Sequence, residues 1–141
     1  MAAYIGLSQH INFARLPSPG DRYELKELIG EGTYGEVYSA RDNTTGQWVA
    51  IKILEQIIDN LEEIEEEYLV LRDLSKHPNI PSFVGIFLKR GITMEDDQLW
   101  FIMEVNIYQF IITPIPALFI NSVQQRHWIE QSMFYDIQMI T

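Results

Sequence analysis

Apolar positions run through the middle of the chain in short blocks whose period changes twice. Tyr23 to Ile29, Glu36 to Arg41 and Gln47 to Leu54 are short β-type segments, bounded by polar and turn-forming residues as strands are. Between the last two, Asp42-Asn43-Thr44-Thr45-Gly46 is a turn-rich cluster suited to an antiparallel hairpin. The period then lengthens: Leu61, Ile64, Tyr68, Leu71 and Leu74 recur at steps of three and four, which predicts a helix over 61–74. His77-Pro78-Asn79 stops it and Pro81 keeps the following residues out of the helical region. Two further apolar runs, Phe83 to Leu88 and Leu99 to Val105, flank an acidic loop containing Glu95-Asp96-Asp97. Three strands, one helix and two strands make an α+β unit.

The flanks differ from this centre. Residues 1–22 read as an N-terminal lead-in, because Leu16-Pro17-Ser18-Pro19-Gly20 cannot continue regular structure, and the folded unit is expected to begin just after it. Beyond Val105 the glycines are gone, all eight lying at or before Gly91, and only Arg126, Glu130 and Asp136 carry charge. Ile107 to Ile120 is apolar but short for a membrane span, and it is broken by Pro114 and Pro116.

Composition narrows the possible chemistry. At 141 residues and 47 % hydrophobic content the chain can build a core. It has no cysteine, which removes disulfides, thiolate zinc sites and thiol catalysis. Ten basic against twenty acidic residues give a net charge of -10, which opposes contact with nucleic acid or anionic lipid. The N-terminus has neither the basic region nor the apolar stretch of a signal peptide, so a cytoplasmic setting is expected. His10, His77 and His127 have no ligand spacing.

Two motifs carry the chemistry. Gly30-Glu31-Gly32-Thr33-Tyr34-Gly35-Glu36-Val37 matches G-x-G-x-x-G-x-V. In a dinucleotide-binding fold the third glycine opens a helix, but here Val37-Tyr38-Ser39-Ala40 is strand-like, and no Gly-Lys-Ser/Thr exists for a Walker loop. A tight hairpin remains, either plain or lying over ATP phosphates, where missing side chains let backbone N–H groups approach the oxygens. The second motif, Val49-Ala50-Ile51-Lys52, favours the latter. On a strand Ala50 and Lys52 share a face while Val49, Ile51 and Ile53 point into the opposite layer. A small Ala50 leaves room for adenine, and Lys52 reaches the α- and β-phosphates. A lysine so placed needs a carboxylate, and the helix offers five glutamates in six positions. At about 100° per residue, Glu67 lies about 50° from the centre of the apolar stripe, Glu63 and Glu65 roughly 90–110° away, and Glu62 and Glu66 on the far side. Glu67 is thus the expected partner.

With both motifs in order, the sequence resembles the protein kinase family over roughly Tyr23 to Asn106. Asp97-Gln98-Leu99-Trp100-Phe101-Ile102-Met103-Glu104 looks like the sterile-twenty-like group. Ile64-Glu65-Glu66-Glu67-Tyr68, Leu71-Arg72-Asp73 and His77-Pro78-Asn79-Ile80-Pro81 are most similar to the kinase domain of class III myosins, the insect type in particular. The resemblance implies a kinase small lobe over 23–106, a five-stranded antiparallel sheet with one helix, followed over 107–141 by a divergent apolar tail. It implies serine/threonine protein phosphorylation with ATP and Mg²⁺ as cofactor, a protein substrate, and a cytoplasmic, cytoskeleton-associated full-length form. It further implies that Ile29, Val37, Ala50 and Met103 sandwich the adenine, that backbone groups of Glu104 and Asn106 bond its edge, and that Leu71 and Phe83 belong to a regulatory stack. Lys52 and Glu67 would be the catalytic pair. The chain departs from the family after Val105: Asn106-Ile107-Tyr108-Gln109-Phe110 begins something unrelated, and neither His-Arg-Asp nor Asp-Phe-Gly appears before Thr141. The expectation is a kinase cut short of its catalytic loop and inactive by itself, without protein ligands for the metal. The rival expectation is a non-catalytic small-lobe interaction module or a non-functional short isoform.

Overall fold

The computed structural model describes residues 4, 6–31, 35–74 and 82–104. Five strands form one antiparallel sheet: β1 (Tyr23–Glu31), β2 (Gly35–Asp42), β3 (Trp48–Leu54), β4 (Ser82–Lys89) and β5 (Gln98–Glu104). Their spatial order is β1-β2-β3-β5-β4, with the single long helix α1 (Leu61–Leu74) joining β3 to β4 in sequence. The expected α+β small-lobe fold is therefore present. Strand ends differ from the expected limits by one or two residues: β3 starts one residue later, at Trp48, while β1 runs two further, so that Gly30 and Glu31 pair with Val37 and Glu36 across the glycine hairpin. The proline-containing stop after the helix and the tail over 107–141 lie outside the described residues.

Local chemistry explains the connections. In the β2–β3 turn, Asp42 Oδ1 accepts from the Thr44 N–H at 2.9 Å and the Asp42 carbonyl accepts from the Gly46 N–H at 2.7 Å. Gly46 has φ +77, which a side-chain-bearing residue adopts at a cost. In β1 the register slips between Leu25 and Leu28, and the displaced Glu27 N–H donates instead to the buried Ser39 Oγ at 3.1 Å. Glu62 and Glu63 open α1 and Arg72 closes it, each charge favourable to the helix dipole.

The sheet has two apolar faces. One carries Val37, Ala50, Leu54, Leu88, Leu99, Phe101 and Met103 and packs with Ile64 and Leu71 of α1. The other carries Tyr23, Ala40, Val49, Ile51, Ile53, Phe87, Trp100 and Ile102. The lead-in segment needs correcting in one respect. Tyr4, Ile11 and Phe13 are 1–4 % exposed and belong to the helix-side core, so the folded unit does not begin after Gly20. The prolines prevent regular structure there, yet irregular backbone is free to bury its side chains once polar groups find partners.

Candidate functional site

Strand β3 sets the site through its two-residue alternation. Ala50, Lys52 and Leu54 point to the helix side, and Val49, Ile51 and Ile53 to the other. Lys52 sits opposite Val37 on β2 and Phe101 on β5, so apolar neighbours flank its stem. It is 1 % exposed and Glu67 is 0 % exposed, and Lys52 Nζ donates to Glu67 Oε1 at 2.6 Å. Burial pulls the lysine ammonium below its ordinary range, and the charge and hydrogen bond of Glu67 oppose that fall. Glu62 and Glu63 are exposed and Glu65 and Glu66 only half-buried. Helical geometry thus selects one acid of five, and it is more deeply buried than a position at the stripe's edge suggested.

Ala50 faces Met103 across the β3–β5 pair and Ser39 across β2. Val37, Ala50 and Met103 are each at most 1 % exposed, with half-buried Ile29 packed against the same cluster. The four residues implied as an adenine sandwich therefore share one apolar wall. Leu71 belongs to that core and Phe83 packs on it. The Phe83 ring meets Tyr68 edge-on at 6.0 Å and Phe101 edge-on at 6.2 Å, joining the helix to the strand opposite Lys52. The sequence reading did not single out Phe101 or Tyr68; an aromatic in a strand or on a helix stripe looks like ordinary core.

The glycine turn has a packing constraint besides its openness. A Cβ on Gly35 would stand 2.5 Å from the Ile53 carbonyl oxygen and 3.0 Å from Leu54 Cδ2, so glycine lets β2 close on β3 just beside Lys52. Gly30 is half-buried, Glu31, Glu36 and Glu104 are exposed, and Glu36 accepts a hydrogen bond from the Tyr38 hydroxyl. Gly32, Thr33, Tyr34 and Asn106 lie outside the described residues. Among the described residues no group of three acidic or histidine side chains could hold a metal ion, and no helix is long and apolar enough to cross a membrane.

Two comparisons bear on this geometry. The protein kinase domain family matches residues 23–130, a stretch that runs past Asn106. Myosin-IIIa of Mus musculus is 43 % identical over 99 residues, covering 70 % of this chain and 6 % of that protein. Misshapen-like kinase 1 of Rattus norvegicus is 42 % identical over 97 residues, 69 % of this chain and 7 % of that protein. The Drosophila melanogaster protein "Neither inactivation nor afterpotential protein C" is 37 % identical over 95 residues, 67 % and 6 %. The chain spans less than a tenth of the length of these relatives. The family match covers well over half of the chain and takes in the glycine hairpin, β3 and α1, and on that ground the chain belongs to the protein kinase family.

Proposed function

We propose that this chain provides the ATP-binding wall of a serine/threonine protein kinase, with Lys52 and Glu67 as its working pair. The single observation that supports this most is the buried 2.6 Å bond between Lys52 Nζ and Glu67 Oε1, set on the same sheet face as Ala50. A buried ion pair is a poor stabiliser, since desolvation offsets most of its attraction. An ammonium held in one orientation beside a glycine turn suits the oxygens of a polyphosphate.

The residues present fit a nucleotide in three respects. Val37, Ala50 and Met103 give an apolar wall for adenine, with Ile29 at its edge. Gly30 and Gly35 bracket the glycine hairpin, where missing side chains would let backbone N–H groups approach phosphate oxygens. Lys52 supplies the cation for the α- and β-phosphates, and Glu67 fixes the direction of its N–H bonds. When bound, ATP with its magnesium supplies the phosphoryl group for transfer to a protein hydroxyl. Because the sequence has no His-Arg-Asp or Asp-Phe-Gly, the reading expects these 141 residues by themselves to bind nucleotide weakly and not to transfer phosphate. The near-complete burial of Val37, Ala50 and Met103 lowers affinity further, because adenine must compete with apolar self-packing for that wall.

An acyl-phosphate derivative of ATP, which acylates a lysine lying beside its phosphates, tests the reading even at weak affinity. Acylation is expected at Lys52, suppressed by excess ATP and absent in Lys52→Met. Equal acylation of Lys26, Lys52 and Lys89 that ATP does not suppress would overturn it. Radiolabel transfer to a generic acceptor should not exceed that of Lys52→Met in the 141-residue chain.

A further inference from the structure

The N-terminal stretch has no role in the nucleotide reading, and most of its described residues are exposed, yet three of its large side chains are deeply buried. Tyr4, Ile11 and Phe13 are 3, 4 and 1 % exposed. The Tyr4 and Phe13 rings stack with centroids 5.3 Å apart and an interplanar angle of 29°. These three side chains share one buried cluster with Ile57, just ahead of α1, and with Ile64 and Leu71 on it. Leu16 and Leu61 pack on the same cluster.

The stretch is also tied down by polar bonds, and those nearest its buried rings run to the β4–β5 hairpin. Tyr4 Oη donates to Asp97 Oδ2 at 3.0 Å, while the Gly91 N–H donates to Asp97 Oδ1 at 2.8 Å. Asp97 is 1 % exposed and Arg90 Nε lies 3.4 Å from its Oδ2. At the other end the Leu88 N–H donates to the Pro17 carbonyl at 2.8 Å. The stretch is thus fixed to the β4–β5 hairpin at both ends, while its rings belong to the same buried cluster as the inner face of the helix. Helix α1 is held to the sheet differently, by apolar contact and by the Lys52–Glu67 bond. Apolar contact is non-directional, so the rotation of α1, and with it the aim of Glu67, depends on how completely its seat is filled.

We propose that Tyr4, Ile11 and Phe13 are positioning residues for Glu67: a strut, built from the N-terminal stretch and anchored on Asp97, that holds α1 turned so that Glu67 meets Lys52. The consequence for nucleotide binding rests on the reading above; the mechanical claim does not. Burial and the Asp97 carboxylate push the Tyr4 hydroxyl up to about 12, so it remains a hydrogen-bond donor throughout the physiological range. Emptying the ring site leaves Ile64 and Leu71 under-packed, and the cheapest relief is rotation of α1 rather than opening of the hydrogen-bonded sheet.

The test uses the full 141-residue chain and two readouts that need no nucleotide. Amide hydrogen exchange is followed in α1 and, as internal reference, in β2 and β3; acylation of Lys52 by a water-soluble succinimidyl ester reports its exposure. In Phe13→Ala, exchange in α1 is expected to rise about tenfold relative to the β2–β3 amides, with faster Lys52 acylation. Phe13→Leu, which refills much of the volume, should restore both. Equal loss of protection in helix and sheet would mean a purely structural role and would overturn the strut. If Phe13→Ala does not fold, Tyr4→Phe decides, since it keeps the ring and removes only the bond to Asp97. That variant should raise α1 exchange at least about twofold with the sheet unchanged, and wild-type exchange in α1 would overturn the proposal. A selective response of α1 together with no ATP-suppressible acylation at Lys52 would leave the strut standing and refute the nucleotide reading.

Discussion

The two faces of the sheet are built from the same strands but closed by different means. On the helix side, α1 and the N-terminal stretch cover the apolar residues, and a lysine and a glutamate are buried among them. On the opposite side the cover includes long cationic side chains lying on aromatic rings. The Arg22 guanidinium lies 5.1 Å from the Tyr23 ring centroid, and Lys89 Nζ lies 5.4 Å from that of Trp100. Tyr23 and Phe87 meet edge-on beneath Arg22 at 5.5 Å. Cations over ring faces spread an aliphatic stem across apolar surface and keep the charge near water. One face therefore spends its interior on a charged pair that contributes little to stability, whereas the other is occupied almost wholly by packing.

Mutation can separate these roles. Glu67→Leu strands the Lys52 ammonium in the core and is expected to cost about 3–5 kcal/mol in denaturant unfolding, with most of it regained in Lys52→Met/Glu67→Leu. Failure of the double variant to regain stability would mean that the pair holds the fold rather than serving a ligand. On the opposite face Ile51→Ala removes a side chain that is 0 % exposed and should cost about 2–5 kcal/mol. Nucleotide-dependent acylation of Lys52 in the folded fraction should be unchanged, and a parallel loss would show that the faces are not independent. The smallest effect concerns the anchor. The Tyr4 pKa is raised from 10.0 to about 12, so the neutral hydroxyl is favoured in the folded state. Its contribution is complete below about pH 10 and is lost as pH rises toward 12. The stability gap between wild type and Tyr4→Phe, about 0.5–1.5 kcal/mol near neutrality, should close across that window. A gap that persists at pH 12 would locate the Tyr4 contribution elsewhere than its bond to Asp97.

What was legible in the sequence was local. Strand alternation sorted Ala50 and Lys52 from Val49, Ile51 and Ile53, because the period of two operates within a few residues. Helical rotation picked Glu67 for the same reason. The placing of β3 beside β5 follows from no local pattern, and the family resemblance implied a five-stranded antiparallel sheet without its strand order. The burial of the N-terminal stretch was missed altogether: Tyr4, Ile11 and Phe13 follow no helical or strand period, and Pro17 and Pro19 speak only for irregular backbone. Asp97 was counted with the loop acids because charge normally marks the surface. What holds it inside is a tyrosine 93 positions earlier and the Gly91 N–H, which donates to its Oδ1 at 2.8 Å, and neither is visible one residue at a time.

The sheet order has a consequence for how the protein is made. Strands β1 to β3 form a meander of neighbours, and β4 with β5 forms a hairpin, and in the described sheet the two halves are joined by hydrogen bonds where β3 pairs with β5. Lys52 belongs to the first half, Met103 to the second, and Glu67 to the helix between them. A chain leaving the ribosome thus displays the glycine hairpin and its lysine well before Met103 completes the apolar wall with Val37 and Ala50. Until Gln98–Glu104 has emerged and docked, the open edge of β3 is an unpaired template for other strands. That interval is when the nascent chain depends most on chaperones, or on its own acidic helix, to keep other strands away.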